Sequence, residues 1–183
     1  MFNSLSTNQA LITLLKSGGV AVIRTDTLYG IVAAAGNKDA VERVYAIKHR
    51  NPQKSCIILI DGPSSAYSHT DELELDVREH HQVPTSFLID GRGAPEWLLR
   101  QNEELAYRVP ASADLRALLK QTGPLIAPSA NPEGLPPAMT VDEAQRYFGE
   151  SVDIYVDGGE VPVDTPPSRL LRIHPDGREE RLR

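Results

Sequence analysis

Apolar and polar positions along this chain follow two spacings, and each spacing predicts one kind of element. Apolar residues three or four positions apart share one face of a helix. This spacing predicts a first helix that is capped by Ser6 or Thr7 and ended by Gly18 and Gly19. A second predicted helix begins at the cap Asn37 and ends at KHR (48–50). Further helices are predicted over 72–82, 112–122 and 141–148.

Short, continuous apolar runs predict buried strands. Such runs are VAVI (20–23), IVAAAG (31–36) and CIILI (56–60). Further strands are predicted at TSFLID (85–90), ELAYRVP (104–110), LIAPSAN (125–131), DIYV (153–156), SRLLRI (168–173) and REERLR (178–183). Because helices and strands alternate, the chain is predicted to be an α/β protein. The short strands near the end predict a mixed sheet. We expect one domain over residues 1–183, with an open, twisted, mixed parallel and antiparallel sheet flanked by helices.

Composition places the chain among ordinary soluble globular proteins. Its 183 residues suffice for one domain with a sizeable core, and 40% of them are apolar. With 25 Asp and Glu against 19 Lys and Arg, the net charge is −6. This balance argues against a surface that coats nucleic acid or membrane indiscriminately, and it leaves room for a local basic groove.

Cysteine usage and hydropathy bear on the compartment. The only cysteine, Cys56, lies in the apolar run CIILI, so we expect a buried residue in a reducing compartment. No stretch approaches the roughly 20 apolar residues of a membrane span, and the N-terminus lacks a signal-peptide pattern. We therefore expect a cytoplasmic protein without a membrane partner.

Polar residues follow two apolar strands, at positions where ligands bind in α/β sheets. RTDTLYG contributes the hydroxyls of Thr25 and Thr27, and APSAN contributes Ser129 and Asn131. Thr25 also fits the ordinary role of a turn cap. Arg108 lies at the end of another predicted strand. These side chains are therefore candidates for a shared ligand site.

The basic residues Lys48, Arg50 and Lys54 fall within seven positions at the end of a predicted helix. One interpretation is a favourable interaction with the helix C-terminus, worth about 0.3 to 1 kcal/mol. The other is an anion-binding site. An Arg fork and a Lys point charge suit a polyphosphate where no glycine-rich loop is present. Together with Arg108 and the two hydroxyl-rich loops, the cluster favours the anion site, with Ser129 and Asn131 as neutral donors.

Other familiar signatures are missing from the sequence. It contains no phosphate-binding G-x-x-x-x-G-K-[ST] loop, no G-x-G-x-x-G and no nucleophile elbow. The polar side chains of His69, Asp71, Asp76, His80 and His81 match no standard metal-ligand spacing. We expect no metal site on the protein.

Several motifs in order resemble the YrdC family of threonylcarbamoyl-adenylate synthases. The K-x-R and S-x-N of that family correspond to Lys48-His49-Arg50 and Ser129-Ala130-Asn131. Its P-T-[DE]-T-[VL]-Y-G-[LI] opening is similar to RTDTLYGI, and its R-V-P to Arg108-Val109-Pro110. GLPP, TVDEA and a late DGG also match. The resemblance spans roughly residues 5 to 183 and is to the single-domain type.

The chain departs from the family pattern at several positions. Arg24 replaces the proline before T-D-T, and Asn51 and Ser55 replace prolines near the basic cluster. The family's P-G-P-x-T appears as QVPTS, in which Pro84 and Ser86 match and Val83 takes the glycine position; the late S-T is Ser168-Arg169. A glycine permits close backbone approach to a ligand. We expect it to shape a loop only, so that activity persists with Val83.

The resemblance implies a reaction of L-threonine, bicarbonate or CO2, and ATP. The products are L-threonylcarbamoyladenylate and pyrophosphate, and the activated group is destined for the adenosine next to a tRNA anticodon. The amine of threonine becomes a carbamate, whose carboxylate attacks the α-phosphorus. No protein nucleophile is needed, which agrees with a buried Cys56. The implied partners are the transferase proteins that modify tRNA.

The resemblance also implies roles for individual residues. Lys48 and Arg50 would hold the triphosphate with Mg2+, while Ser129 and Asn131 would fix the nucleotide and the carbamate. Thr25, Thr27 and Arg108 would take threonine, Arg108 by its carboxylate. Lys54, Ser86, Ser168 and Arg181 are further candidates for the nucleotide. We expect a cavity lined by Thr27, Lys48, Arg50, Arg108, Ser129 and Asn131.

Two other functions are compatible with the same fold. One is a non-synthase paralogue that binds nucleotide, tRNA or double-stranded RNA on a basic concave face. The other is a carbamoyl-transferring module like the related domain of hydrogenase maturation proteins. The complete set Lys48, Arg50, Ser129 and Asn131 favours the synthase.

Overall fold

The computed structural model describes residues 4–68, 71–80, 82–174 and 176–183, without the side chain of Glu72. In this part of the chain the helices are α1 (Gln9–Lys16), α2 (Lys38–Lys48), α3 (Asp71–Glu79), α4 (Glu96–Leu99), α5 (Ala113–Thr122) and α6 (Val141–Phe148). The strands are β1 (Ala21–Arg24), β2 (Tyr29–Ala34), β3 (Ile58–Leu59), β4 (Thr85–Asp90), β5 (Glu104–Arg108), β6 (Leu125–Ile126), β7 (Ile154–Tyr155), β8 (Arg169–Ile173) and β9 (Glu179–Arg181).

The strands form one mixed sheet in the order β7-β1-β2-β6-β3-β5-β4-β8-β9. The pairs β1·β7, β3·β5 and β4·β8 are parallel. The pairs β1·β2, β2·β6, β3·β6, β4·β5 and β8·β9 are antiparallel. The predicted fold class, a mixed sheet flanked by helices, is confirmed.

One half of the sheet is covered on both faces. Because successive side chains of a strand point to opposite faces, β1 sends Ala21 and Ile23 to one core and Val22 to the other. Helices α1 and α5 cover the first core, and α2 and α6 cover the second. Burial on both faces explains why β1 and β2 read as continuous apolar runs rather than as alternating ones.

The other half of the sheet has one open face. In β5, Leu105 and Tyr107 pack in the core with residues of α3 and α4, whereas Ala106 and Arg108 face a cavity. Leu170 and Arg172 of β8 line the same cavity. The sheet therefore supplies a concave wall beside the ends of β1, β5 and β6.

Several predicted boundaries need correction. The α1 cap is Asn8, whose side chain accepts from the Leu11 amide, and neither Ser6 nor Thr7 caps this helix. Ser6 instead donates to the Asp114 carboxylate of α5. The run CIILI contributes only Ile58–Leu59 to the sheet, and α4 was not predicted. Among the described residues, none of the helices combines the length and apolar character that crossing a membrane requires.

Candidate active site

A cavity of about 2140 Å³ opens beside the uncovered face of the sheet. It brings together most of the side chains that the sequence singled out, although they come from distant parts of the chain. The predicted site residues that line it are Thr25, Thr27, Arg50, Lys54, Arg108, Ser129 and Ser168. Its volume exceeds the 300 to 1,000 Å³ that is usual for a small-molecule site, so it has room for a nucleotide and a second ligand.

The end of α2 explains how Arg50 reaches this cavity. His49 adopts the left-handed conformation with φ 50°, and the amides of His49 and Arg50 donate to the carbonyls of Ala46 and Tyr45. These two bonds form a Schellman motif, which ends a helix and redirects the chain. Arg50 therefore leaves the helix axis and enters the loop that follows.

Backbone carbonyls of that loop hold the Arg50 guanidinium. Its Nε donates to the Lys54 carbonyl over 3.3 Å, and Nη2 donates to the Ser55 carbonyl over 2.8 Å. Lys54 lies beside it and forms an ion pair with Glu133 at 2.5 Å. The carboxylate of Glu133 also accepts from the Asn51 amide, and the neighbouring cation lowers the pKa of Glu133. Glu133 was not among the predicted site residues, although only Pro132 separates it from the S-x-N motif.

Lys48 is buried, contrary to the expectation that it lines the cavity. Its ammonium donates to the carbonyls of Ser129 and Asn131, and only 2% of the residue is exposed. Desolvation, followed by the charge of Arg50, lowers the pKa of Lys48 to about 8. The lysine thus joins α2 to the loop that carries Ser129 and Asn131. Position in the sequence could not reveal this, because the acceptors are backbone atoms of a distant loop.

We expect pyrophosphate release to decline above pH 8 as the Lys48 ammonium loses its proton, because an uncharged amine holds the two carbonyls more weakly. The effect on stability has the opposite sign. Between pH 8 and 10.5 the unfolded chain binds more protons at this lysine than the folded chain, so its contribution to the free energy of unfolding rises with pH. Deprotonation of Lys48 therefore does not unfold the protein, and unfolding caused by this group cannot be the reason for the loss of activity above pH 8.

The measurement is kcat/KM for ATP from pH 6.5 to 9.5, with thermal unfolding at each pH. Lys48→Arg is the matched variant, because a guanidinium stays protonated throughout this range. We expect the decline at about pH 8 to disappear in this variant. A decline that persists unchanged in Lys48→Arg would assign it to another group.

The S-x-N loop is held by bonds within itself. The Ser129 hydroxyl donates to Asn131 Oδ1 over 2.6 Å, and Asn131 Nδ2 donates to the carbonyls of Pro132 and Leu135. Asn131 is 8% exposed and does not line the cavity, so the expectation that it does is wrong. A backbone bridge between Gly30 and Ser129 fixes the loop to β2. Ser129 is the member of this motif that faces the cavity.

The T-D-T turn contacts Arg108 through its last two residues, Asp26 and Thr27. Arg108 Nη1 donates to Thr27 Oγ1 over 3.2 Å, and Nη2 lies 3.1 Å from Asp26 Oδ1. Both charged side chains of this pair are 6% exposed. Burial lowers the pKa of Arg108, and the charge of Asp26 opposes this effect. Asp26 had no predicted role; its presence in the motif was the only signal.

Thr25 closes the same turn, as the second of its two interpretations expects. Its hydroxyl donates to the Leu28 carbonyl over 2.7 Å and accepts from the Thr27 amide. Thr25 Oγ1 also lies 3.1 Å from Thr27 Oγ1. Because Thr25 lines the cavity as well, turn capping does not exclude a contact with a ligand.

Ser86 and Ser168 form a buried hydroxyl pair at the cavity wall. Their Oγ atoms are 2.9 Å apart, and only Ser168 reaches the cavity surface. Arg183 donates from Nε to the Ser168 carbonyl and also lines the cavity. Arg181, the predicted nucleotide contact, is exposed and lies outside the lining. The prediction placed the wrong arginine in the cavity.

A β-bulge explains this exchange of arginines. The amides of Leu182 and Arg183 both approach the Leu170 carbonyl, at 2.8 and 3.4 Å. Two residues thus oppose one on β8, which re-aims the side chains that follow. Regular alternation along β9 could not predict this change.

Val83 lies away from the cavity. It is 45% exposed, its amide donates to the His80 carbonyl, and its own carbonyl accepts from the Thr85 hydroxyl. Its backbone is outside the positive-φ region that favours glycine. The valine side chain therefore does not occupy the space of a cavity ligand.

We expect Val83→Gly to leave the Kd for ATP with Mg2+ within about twofold, as for a surface position without a ligand contact. Calorimetric titration of both proteins measures it. No binding by the natural chain at millimolar ATP, with binding restored by glycine, would contradict this and favour the non-synthase paralogue.

The D-G-G segment packs against the position where the family has proline. Arg24 Nη1 donates to the Gly158 carbonyl over 2.9 Å. The Tyr29 hydroxyl donates to the Gly159 carbonyl and accepts from the Gly158 amide. A Cβ at Gly158 would lie 2.5 Å from Arg24 Cβ, so only glycine fits this contact. The match to DGG is thereby explained by packing.

The histidines considered as metal ligands are used otherwise where the structure describes them. His80 Nε2 lies 2.7 Å from Glu179, and Nδ1 lies 3.5 Å from Arg169. His69 and His81 lie outside the described residues. Within the described ranges, no group of three or more histidine, cysteine or acidic side chains could hold a metal ion.

The fold and the cavity together define a class: an α/β protein whose mixed sheet has a cavity lined by cationic side chains and hydroxyls from loops and strand ends. A family model for Sua5, YciO and YrdC, described as telomere recombination, matches residues 13–183. The chain belongs to this family, and the resemblance seen in its motifs is confirmed.

Individual relatives agree with this assignment. The chain is 30% identical over 176 residues to a threonylcarbamoyl-AMP synthase of Pseudoalteromonas translucida, covering 90% of this chain and 92% of that protein. The structure of E. coli YciO has a TM-score of 0.78 at 23% identity, over 96% and 88% of the two chains. P. abyssi Sua5 complexed with L-threonine has a TM-score of 0.80 at 23% identity. The match covers 89% of this chain and about half, 49%, of that one.

Proposed function

We propose that this protein is a threonylcarbamoyl-AMP synthase, a nucleotidyltransferase that converts L-threonine, bicarbonate or CO2, and ATP to L-threonylcarbamoyladenylate and pyrophosphate. One observation carries the proposal. Arg50 and Lys54, cations suited to phosphates, line the same cavity as Arg108 and Thr27, a guanidinium and hydroxyl suited to an amino acid. The relatives that bear the name of this synthase support it.

The chemistry asks the protein to position two anions rather than to supply a nucleophile. The carbamate oxygen attacks the α-phosphorus, a new P–O bond forms, and pyrophosphate leaves with the electron pair of the broken bond. Arg50 and Lys54 would balance the charge on the phosphate oxygens. Cys56 takes no part, because it is buried and burial raises the pKa of its thiol.

Threonine binds, in this proposal, with its carboxylate at Arg108 and its hydroxyl near Thr27. A guanidinium carries five N–H donors in a fixed fork, so Arg108 can keep Asp26 and Thr27 while it accepts a further anion. The Ser129 hydroxyl donates to Asn131 Oδ1, and in this proposal it would turn to donate to the carbamate or the nucleotide.

Mg2+ would enter with the nucleotide. Glu133 and Asp26, acids adjacent to the cationic residues, already pair with Lys54 and Arg108. The triphosphate oxygens are therefore the fitting ligands, as is usual for Mg2+ with nucleotides. When bound, the ion would neutralise part of the phosphate charge beside Arg50.

The decisive assay measures pyrophosphate release from ATP with the purified protein. We expect release only when threonine and bicarbonate are both present, and a product with the mass of threonylcarbamoyladenylate. Reactions that omit either substrate are the controls. Release that needs neither substrate would indicate ordinary ATP hydrolysis, and no release under any condition would favour the binding paralogue.

Amino-acid selectivity tests the threonine part of the site. We expect serine to be used with kcat/KM about 10- to 200-fold lower, because it lacks one methyl group. Valine should be rejected more severely, because it leaves a buried hydroxyl partner unpaired. Parallel pyrophosphate assays with the three amino acids measure this. Equal turnover of valine and threonine would show that no hydroxyl contact exists.

The product would pass to a transferase that acts on tRNA, since an acyl phosphate of this kind is an activated donor. Direct contact with tRNA or double-stranded RNA and a cytoplasmic location stay predictions. The net charge of −6 gives non-specific RNA binding no support.

A further inference from the structure

Tyr45 of α2 lies beneath the loop that holds Arg50, outside the lining of the cavity. It is 6% exposed, and burial raises its pKa, so its hydroxyl remains a donor at any physiological pH. Tyr45 Oη donates to the Lys54 carbonyl over 2.7 Å and accepts from Cys56 Sγ over 3.4 Å. The hydroxyl thus fixes a backbone atom of the loop.

The Lys54 carbonyl is a shared acceptor. It receives Tyr45 Oη and also Arg50 Nε, while Arg50 Nη2 donates to the next carbonyl, that of Ser55. These two successive carbonyls set the plane of the Arg50 guanidinium. The remaining N–H groups of the Arg50 guanidinium are available to a ligand, because Arg50 lines the cavity. Movement of the Lys54 carbonyl would therefore rotate the guanidinium and change the direction of the N–H groups that bind an anion.

Arg100 supports Tyr45 from below. Its guanidinium carbon lies 3.7 Å from the centroid of the Tyr45 ring, and that of Arg50 lies 5.8 Å away. The Arg100 side chain is 9% exposed and pairs with Glu42 at 3.0 Å. Its Nε and Nη2 are buried without a hydrogen-bond partner among the described residues, which is consistent with a guanidinium stacked on an aromatic face.

We propose that Tyr45, supported by Arg100, is a positioning residue that orients Arg50 for the triphosphate. The inference rests on the proposed function, because it takes Arg50 as a phosphate ligand. Tyr45 acts through Arg50 and touches no substrate. Its loss should weaken ATP binding and spare threonine binding, since Arg108 and Thr27 lie on other elements.

Tyr45→Phe tests the proposal by removing only the hydroxyl. We expect the calorimetric Kd for ATP with Mg2+ to rise about fivefold, the effect of one neutral hydrogen bond, and the Kd for threonine to stay within about twofold. Tyr155→Phe is the matched control, because the Tyr155 hydroxyl donates to the Gly149 carbonyl over the same 2.7 Å and Tyr155 does not line the cavity. Both Kd values should be unchanged in that control.

Arg100→Lys provides a second variant that keeps the charge beside Glu42 and loses the planar stacking group. We expect it to raise the Kd for ATP in the same direction. In an Arg50→Ala background, Tyr45→Phe should add less than about a twofold effect, because coupled residues are not additive. A full fivefold effect there would overturn action through Arg50.

The outcomes separate the two levels of the proposal. If Arg50→Ala itself leaves the Kd for ATP unchanged, the phosphate site fails and this inference fails with it. If Arg50→Ala weakens ATP binding while Tyr45→Phe behaves like Tyr155→Phe, only the positioning role is overturned. Equal weakening of ATP and threonine binding by Tyr45→Phe would indicate a structural role alone.

Discussion

Replacing Arg50 by alanine is expected to lower kcat/KM for ATP in pyrophosphate release by about 30-fold or more. A hydrogen bond to a charged group contributes about 1.5 to 3 kcal/mol, and about 1.4 kcal/mol corresponds to a factor of ten. Stability should change by only about 1 kcal/mol, because the residue lies at the surface of the cavity and gives up bonds to two carbonyls.

The control for this variant is Arg43→Ala on α2, the helix that precedes the loop of Arg50. Arg43 forms an exposed ion pair with Asp153 at 2.6 Å and lies away from the cavity lining. Its loss should leave kcat/KM unchanged and shift the melting temperature slightly. Wild-type activity in Arg50→Ala would contradict the anion site and favour the other interpretation, in which the basic residues only interact favourably with the C-terminus of α2.

Replacing Arg108 by leucine is expected to abolish threonine-dependent activity and to destabilise the fold. Removal of one partner of a buried ion pair leaves an uncompensated charge, here Asp26, and costs about 3 to 5 kcal/mol. Urea denaturation measures the free energy of unfolding. Because Arg108→Leu is expected to lose both activity and stability, it does not show whether threonine binding or folding is the cause. Asp26, the ion-pair partner, must therefore be changed as well.

The double variant Asp26→Asn/Arg108→Gln makes that distinction. It removes both charges and keeps polar groups that can hydrogen-bond, so most of the stability should return. Activity should not return, because the cation for the threonine carboxylate is still missing. Recovered turnover in the double variant would show that Arg108 stabilises the fold and does not bind threonine.

Local patterns in the sequence predicted most elements correctly. The strand Thr85–Asp90 and the helix Val141–Phe148 coincide with the predicted segments, and Asn37 caps α2 as expected. Periodicity and caps depend on residues a few positions apart, so one chain segment contains the necessary information. The short helix Glu96–Leu99 was missed because four residues are too few to establish a period.

The motifs also predicted which parts of the chain share a site. One cavity is lined by hydroxyls from the ends of apolar strands, by basic residues that follow α2, and by Arg108. The sequence did not predict which atoms each of these side chains contacts. The partners of Lys48 are backbone carbonyls, and the partner of Lys54 is Glu133, a residue of another loop.

The sequence by itself therefore determined the α/β class, the order of the elements, the family and the loops that carry the site. Tertiary structure alone decided that Lys48 and Asn131 support the cavity from behind, that Asp26 pairs with Arg108, and that Arg183 replaces Arg181 at the wall. The physical reason is the separation along the chain of the residues that interact. Hydrophobic spacing acts between neighbours in the chain, whereas burial, ion pairing and a β-bulge arise only when distant segments pack together.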